Sequence, residues 1–137
     1  VPEISGIHDG RQILVPVVLA GGAGQAVNLV EATALLDTGA TLTASAPQLA
    51  DAMGLVPVGR RILDTAAGTR RANACNFTLG FRRPHHEGMA PSPLFLPNEL
   101  YGIDFTKGIS FDILVGMDVL SKGEFHKDRQ FRWVFRF

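Results

Sequence analysis

Apolar positions along this chain fall in short runs broken by glycine, proline and small polar residues, which predicts many short strands rather than a helix bundle. Gln12-Ile-Leu-Val-Pro-Val-Val-Leu19 is rich in β-branched residues and reads as a strand, with Pro16 marking an edge position or a bulge. Ala20-Gly-Gly-Ala-Gly24 lacks the spacing and the strand-then-helix setting of a dinucleotide loop, so it reads as a hairpin connection leading into a second strand that ends in Ala34-Leu35-Leu36. Ser45-Ala-Pro-Gln48 carries a capping pattern for a short helix, with Ser45 as cap, Pro47 in the first turn, Leu49, Ala52 and Met53 as its apolar face, and Gly54 as its stop. Residues 60–79 alternate around Ala66-Ala67-Gly68 and predict a long hairpin with a small-residue tip. The stretch from Phe81 to Gly108 holds four of the eight prolines and reads as loop. Ile109 to Val115 has the pattern of a buried strand, and Asp118 to Lys122 that of a brief helix before Gly123. The tail, Phe131-Arg-Trp-Val-Phe-Arg-Phe137, reads as a strand with Phe131, Trp133, Phe135 and Phe137 on one face, a row that needs a core or a partner to cover it.

With 137 residues, no repeat and no long linker, the chain is expected to form a single domain spanning 1–137. Charges balance, 13 basic against 13 acidic, so nothing in the net charge points to nucleic acid as a partner. Cys75 is the only cysteine, which excludes an internal disulfide and fits a half-buried strand residue. No apolar run reaches membrane-spanning length, so direct membrane insertion by this stretch is not expected. A periplasmic or membrane-anchored setting would follow from a leader removed upstream, and a cytoplasmic one otherwise.

The chemistry concentrates in Leu35-Leu36-Asp37-Thr38-Gly39-Ala40-Thr41. A carboxylate placed directly after a buried strand is costly unless neighbours hold it. Gly39 lets the backbone turn sharply and approach a ligand, and Thr38 adds a hydroxyl. In isolation Asp-Thr-Gly also suits a plain turn closing a strand. Downstream, Phe111-Asp-Ile-Leu-Val-Gly-Met-Asp118 sets three apolar residues before Gly116 and a short helix. Together these segments, in this order around a hairpin, resemble the retropepsin-like family of aspartic peptidases over nearly the whole chain.

That resemblance implies an all-β acid-protease barrel, closed or partly open, with one or two short helices and a flap hairpin, assembling as a two-fold homodimer. It implies an aspartic endopeptidase with Asp37 as the catalytic residue, Thr38, Gly39 and Ala40 completing the active-site loop, and Gly116 supporting that loop from beneath. Ala66, Ala67 and Gly68 would form the flap closing over an extended peptide. Leu35 and Leu114 would line apolar substrate pockets, with Asp112 on the wall beside them favouring a basic substrate residue. Catalysis in this class needs two carboxylates, and only one Asp-Thr-Gly is present, since Asp64-Thr65 is followed by Ala66. The second Asp37 would therefore come from another subunit. Ala40 stands where two-lobed pepsin-like enzymes usually carry Ser or Thr, so the activity optimum is expected nearer mild acid. The resemblance calls for no cofactor and no metal. The ion pair that viral members often place between these segments has no counterpart, because Met117 and Thr41 stand at the two positions.

Two rivals remain. A catalytically silent dimer of the same fold would serve as a peptide-binding or assembly module. A metal hydrolase would use His85-His86-Glu87, although adjacent histidines on an extended segment point apart and suit a solvated loop better. The opening at Val1 also suggests a piece of a longer precursor.

Overall fold

A computed structural model describes residues 2–21, 29–65, 68–82, 92–104 and 111–137, apart from the side chains of Thr65 and Asp104. Its strands are β1 (Glu3–Ile7), β2 (Leu14–Gly21), β3 (Val30–Leu36), β4 (Ala44–Ser45), β5 (Gly59–Thr65), β6 (Gly68–Phe81), β7 (Leu94–Phe95), β8 (Leu100–Asp104), β9 (Ile113–Val115), β10 (Glu124–Lys127) and β11 (Arg132–Arg136), with helices α1 (Pro47–Met53) and α2 (Met117–Leu120). β2 pairs with β3 on one side and with β6 on the other. From β3 the ladder runs through β9, β4 and β8 back to β6, so these strands close into a barrel. Closure satisfies ladder groups that an open sheet would leave at its edges. The first half of β6 leaves the barrel and pairs with β5 as a projecting hairpin.

Inward positions of β2, β3, β6 and β9 fill the barrel: Val15, Val17 and Leu19, then Ala34 and Leu36, then Phe77, Leu79 and Phe81, and lastly Ile113 and Val115. Burial of each large side chain contributes about 1.5–3 kcal/mol. Pro16 faces Thr33 across the β2–β3 ladder but stands one residue outside the β2–β6 pairing, where its missing N–H costs no ladder bond. Its carbonyl still accepts the Arg82 N–H at 3.0 Å.

α1 begins at Pro47 and ends at Gly54, whose φ of 70° is left-handed and whose N–H returns to Ala50 and Asp51. Leu55 N–H bonds the Ala50 carbonyl at 2.9 Å, completing the C-terminal lock around the glycine. Leu49 and Met53 are its buried face, while Ala52 is exposed. Ser45 does not cap this helix. It is buried in β4, paired with Ile113 and Asp104, and Ala46 takes the cap position without a side-chain bond. The stretch expected as loop also holds two strands: β7 and β8 both pair with β6. Their order comes from tertiary pairing that local prolines and glycines conceal.

The tail is covered within its own chain. β11 lies between β1 and β10 in a three-stranded antiparallel sheet. Trp133 and Phe135 are buried, and Phe135 packs edge-on against Phe81 with ring centroids 6.0 Å apart. Phe131 departs from the expected row. It precedes the strand with φ 62°, is half exposed, and stacks edge-on against His8 at 5.4 Å. No helix among the described residues is long and apolar enough to cross a membrane.

Candidate active site

Parallel pairing of β3 with β9 sets Leu35 beside Leu114 and Leu36 beside Val115, so the two chains leave the barrel together as the Asp37 loop and the Gly116 turn. Asp37 N–H donates to the Val115 carbonyl at 2.9 Å. The opening N–H groups of α2, which have no partner inside the helix, donate to the loop: Met117 to the Ala40 carbonyl at 2.7 Å and Asp118 to the Thr41 carbonyl at 3.2 Å. Gly116 makes this contact feasible. A Cβ there would stand 2.8 Å from the Leu42 carbonyl carbon and oxygen and 2.9 Å from the Ala40 carbonyl oxygen.

A second tie lies deeper. Thr43 is fully buried. Its N–H donates to Asp118 Oδ2 at 3.0 Å and its hydroxyl to Asp118 Oδ1 at 2.8 Å, while the same hydroxyl accepts the Gly116 N–H at 3.2 Å. This clamp joins the segment after the Asp37 loop to the start of α2. Sequence reasoning missed both residues. Their signal was a polar threonine inside Leu42-Thr-Ala44 and an acid two residues beyond Gly116.

Asp37 is half-buried at the end of β3, with Thr38 and Gly39 exposed beyond it. Its Oδ1 accepts the Gly39 N–H at 2.8 Å, and its carbonyl accepts the Ala40 N–H at 3.3 Å, so the loop holds the carboxylate by its own backbone. The carboxylate borders a cleft of about 340 Å³ lined by Leu35, Leu36, Asp37 and Thr38 from the loop side, Arg11, Gln12 and Ile13 before β2, and Phe125 and Lys127 of β10. Among the described residues that line it, Asp37 is the one acid. Such a site can accept a proton from a bound water or donate one, depending on the carboxyl's own state.

The other expected positions are placed as follows. Leu35 lines the cleft, and Leu114 is half-buried next to it on β9. Asp112 lies outside the cleft lining. Its Oδ2 accepts the Thr33 N–H at 3.1 Å, its N–H donates to the Thr33 carbonyl and its carbonyl accepts the Ala46 N–H, so it seals the entry of β9. In the β5–β6 hairpin the register pairs Thr65 with Gly68, and Gly68 has φ 113°. Ala66 and Ala67 lie outside the described residues, as do His85, His86 and Glu87. Arg11, Phe125 and Lys127 were not foreseen at the cleft, because only the fold brings the two ends of the chain to β3.

No curated protein matches the chain. Among solved structures, a retropepsin-like aspartic protease from Rickettsia conorii shares the fold with a TM-score of 0.59, covering 98% of this chain and 90% of that one at 17% identity. A family model described as aspartyl protease matches residues 15–119, from β2 through the Asp37 loop and the β5–β6 hairpin to α2. With its fold retropepsin-like and most of its length inside that match, the chain belongs to the aspartyl protease family.

Proposed function

We propose that this protein is an aspartic endopeptidase whose active site forms when two copies bring their Asp37 residues together across a two-fold axis. The observation that carries this reading is the held carboxylate: Asp37 stands at the rim of a cleft, fixed by the Gly39 N–H at 2.8 Å, on a loop that α2 and the Thr43–Asp118 clamp brace from below. A strand-closing turn without a catalytic task does not need that bracing.

One such loop per chain implies two per working unit. Two carboxylates in hydrogen-bond range cannot both ionise readily, so they share a proton and titrate as a pair. The ionised member takes a proton from a water held between them as that water attacks the peptide carbonyl, and the protonated member donates to the carbonyl oxygen. Collapse of the tetrahedral intermediate breaks the C–N bond: the leaving amine takes the proton that came from the water, and a hydroxyl proton of the intermediate returns to the carboxylate that had donated, which restores the shared proton. Thr38, exposed in the single chain, would meet its counterpart beneath the pair. The β5–β6 hairpin, projecting from the barrel, would close over an extended peptide and exclude water, with Gly68 at the base of its tip. Leu35 and Leu114 would offer apolar contacts beside the cleaved bond.

The test is cleavage of a diverse peptide mixture by the parent and by Asp37→Ala, mapped by mass spectrometry, with the mass in solution measured by sedimentation. Cleavage by a dimeric parent and none by the variant is the expected result. Cleavage by both would place the chemistry elsewhere, and silence from a folded, dimeric parent would favour a peptide-binding or assembly module.

A further inference from the structure

We infer that the cleft beside Asp37 selects substrates carrying an acidic side chain next to the cleaved bond, through Arg11 and Lys127. This inference rests on the peptidase reading above and concerns the charge of the peptide that site takes.

The cleft has a mixed wall. Leu35 and Phe125 provide apolar surface, and the charged side chains that line it are Asp37, Arg11 and Lys127. With Asp37 committed to chemistry, the two cations are the remaining formal charges there, one from each end of the chain. Neither is held in an ion pair among the described residues. The acids nearest in sequence, Asp9 and Asp128, make no ion pair with either cation, and the pull between Asp9 and Arg11 is weaker than the backbone bonds that hold Asp9. Asp9 Oδ1 accepts the N–H groups of Arg11 and Gln12, both at 2.7 Å. Asp128 accepts the N–H groups of Gln130 and Arg132 and pairs with the Arg132 guanidinium at 2.8 Å. Each aspartate thus folds a turn beside a cleft cation.

With two cations and one acid among its lining residues, the cleft carries a local positive excess in a chain of zero net charge, and such an excess focuses attraction on an oppositely charged ligand. Asp112, whose carboxylate is bonded to the Thr33 N–H outside the cleft lining, does not offset it. A glutamate or aspartate side chain reaching this wall gains charge-assisted hydrogen bonds, and a lysine meets repulsion.

Three fluorescent peptides with one extended frame and Glu, Gln or Lys at the centre test this in two arms. Binding to Asp37→Asn is followed by anisotropy, and cleavage by the parent is measured separately. The expected order is Glu, then Gln, then Lys, with about tenfold between the first two, narrowing as salt is added. The double variant Arg11→Glu with Lys127→Glu should reverse the order, and the single variants Arg11→Gln and Lys127→Gln should flatten it if the double variant does not fold. Equal binding of the three peptides, or a Lys preference, overturns the inference. So does a Glu preference that survives in the variants, or a charge reversal that only dissociates the dimer and thereby assigns the cations to a second copy's carboxylate. Ordered binding without cleavage would keep the charge selection and remove the peptidase reading; cleavage without charge order would do the converse.

Discussion

The Thr43 hydroxyl donates to Asp118 Oδ1 at 2.8 Å, linking the segment between the Asp37 loop and β4 to the first turn of the helix beneath it. Because Thr43 is fully buried, loss of its acceptor leaves an N–H and a hydroxyl without water to replace it. Asp118→Ala should cost about 1–3 kcal/mol in denaturant unfolding. Asp118→Asn, which keeps one acceptor oxygen, should cost less. Equal midpoints for parent and Asp118→Ala would show that the clamp does not brace the loop.

Gly116 tests the same support by crowding. A methyl group there meets the carbonyls of Leu42 and Ala40 at 2.8–2.9 Å, and those groups are backbone with little room to yield. Gly116→Ala should displace the Asp37 loop and destabilise by about 1–3 kcal/mol, as overpacking does. Its kcat/KM should fall further than its stability, since small misplacements of a reacting group cost rate steeply. A variant that loses stability with unchanged kcat/KM would separate the turn from the active site.

Much of the scaffold was legible in the alternation of apolar residues. β2, β3, the β5–β6 hairpin, α2 and β11 match the expected elements closely, because each shows its period or ends at a clear turn residue, whereas the strand expected over Ile109–Val115 is described only as Ile113–Val115, with Phe111 and Asp112 outside it. β7 and β8 were not legible, since they are strands only through pairing with β6. Ser45 misled for a similar reason: its local capping pattern yields to β4 pairing with β8 and β9. At the site, Asp37, Gly39 and Gly116 stood out by residue type, whereas Thr43, Asp118, Arg11 and Lys127 gain their places only when distant segments meet.

Phe135 carries a prediction about where the tail is buried. It is fully enclosed by Phe81, Phe125 and Phe137 of its own chain, on a sheet built from both ends of that chain. Phe135→Ala should cost about 3–5 kcal/mol. The loss should be the same at low and high protein concentration, because the cavity opens inside one chain. A cost that grows with protein concentration would mean instead that this aromatic cluster belongs to a subunit interface.

The two turns beside the cleft make a prediction about acid. Backbone N–H groups of Gln12 and then Arg11 hold Asp9 below the ordinary carboxylate value of 3.8. The Arg132 N–H, reinforced by Gln130 and the Arg132 side chain, holds Asp128 below 3.8 against a smaller opposing effect of burial. A carboxyl lowered on folding contributes stability that is fully present above its unfolded value and is lost as pH falls through its folded one. Both contributions should therefore persist through mild acid and fade only below 3.8. Carboxyl carbon shifts followed by NMR should show both midpoints under that value, and a midpoint at or above it for either residue would remove the claim for that turn. If both hold, a fall in peptide cleavage on the mildly acidic side does not come from opening of the turns beside Arg11 and Lys127.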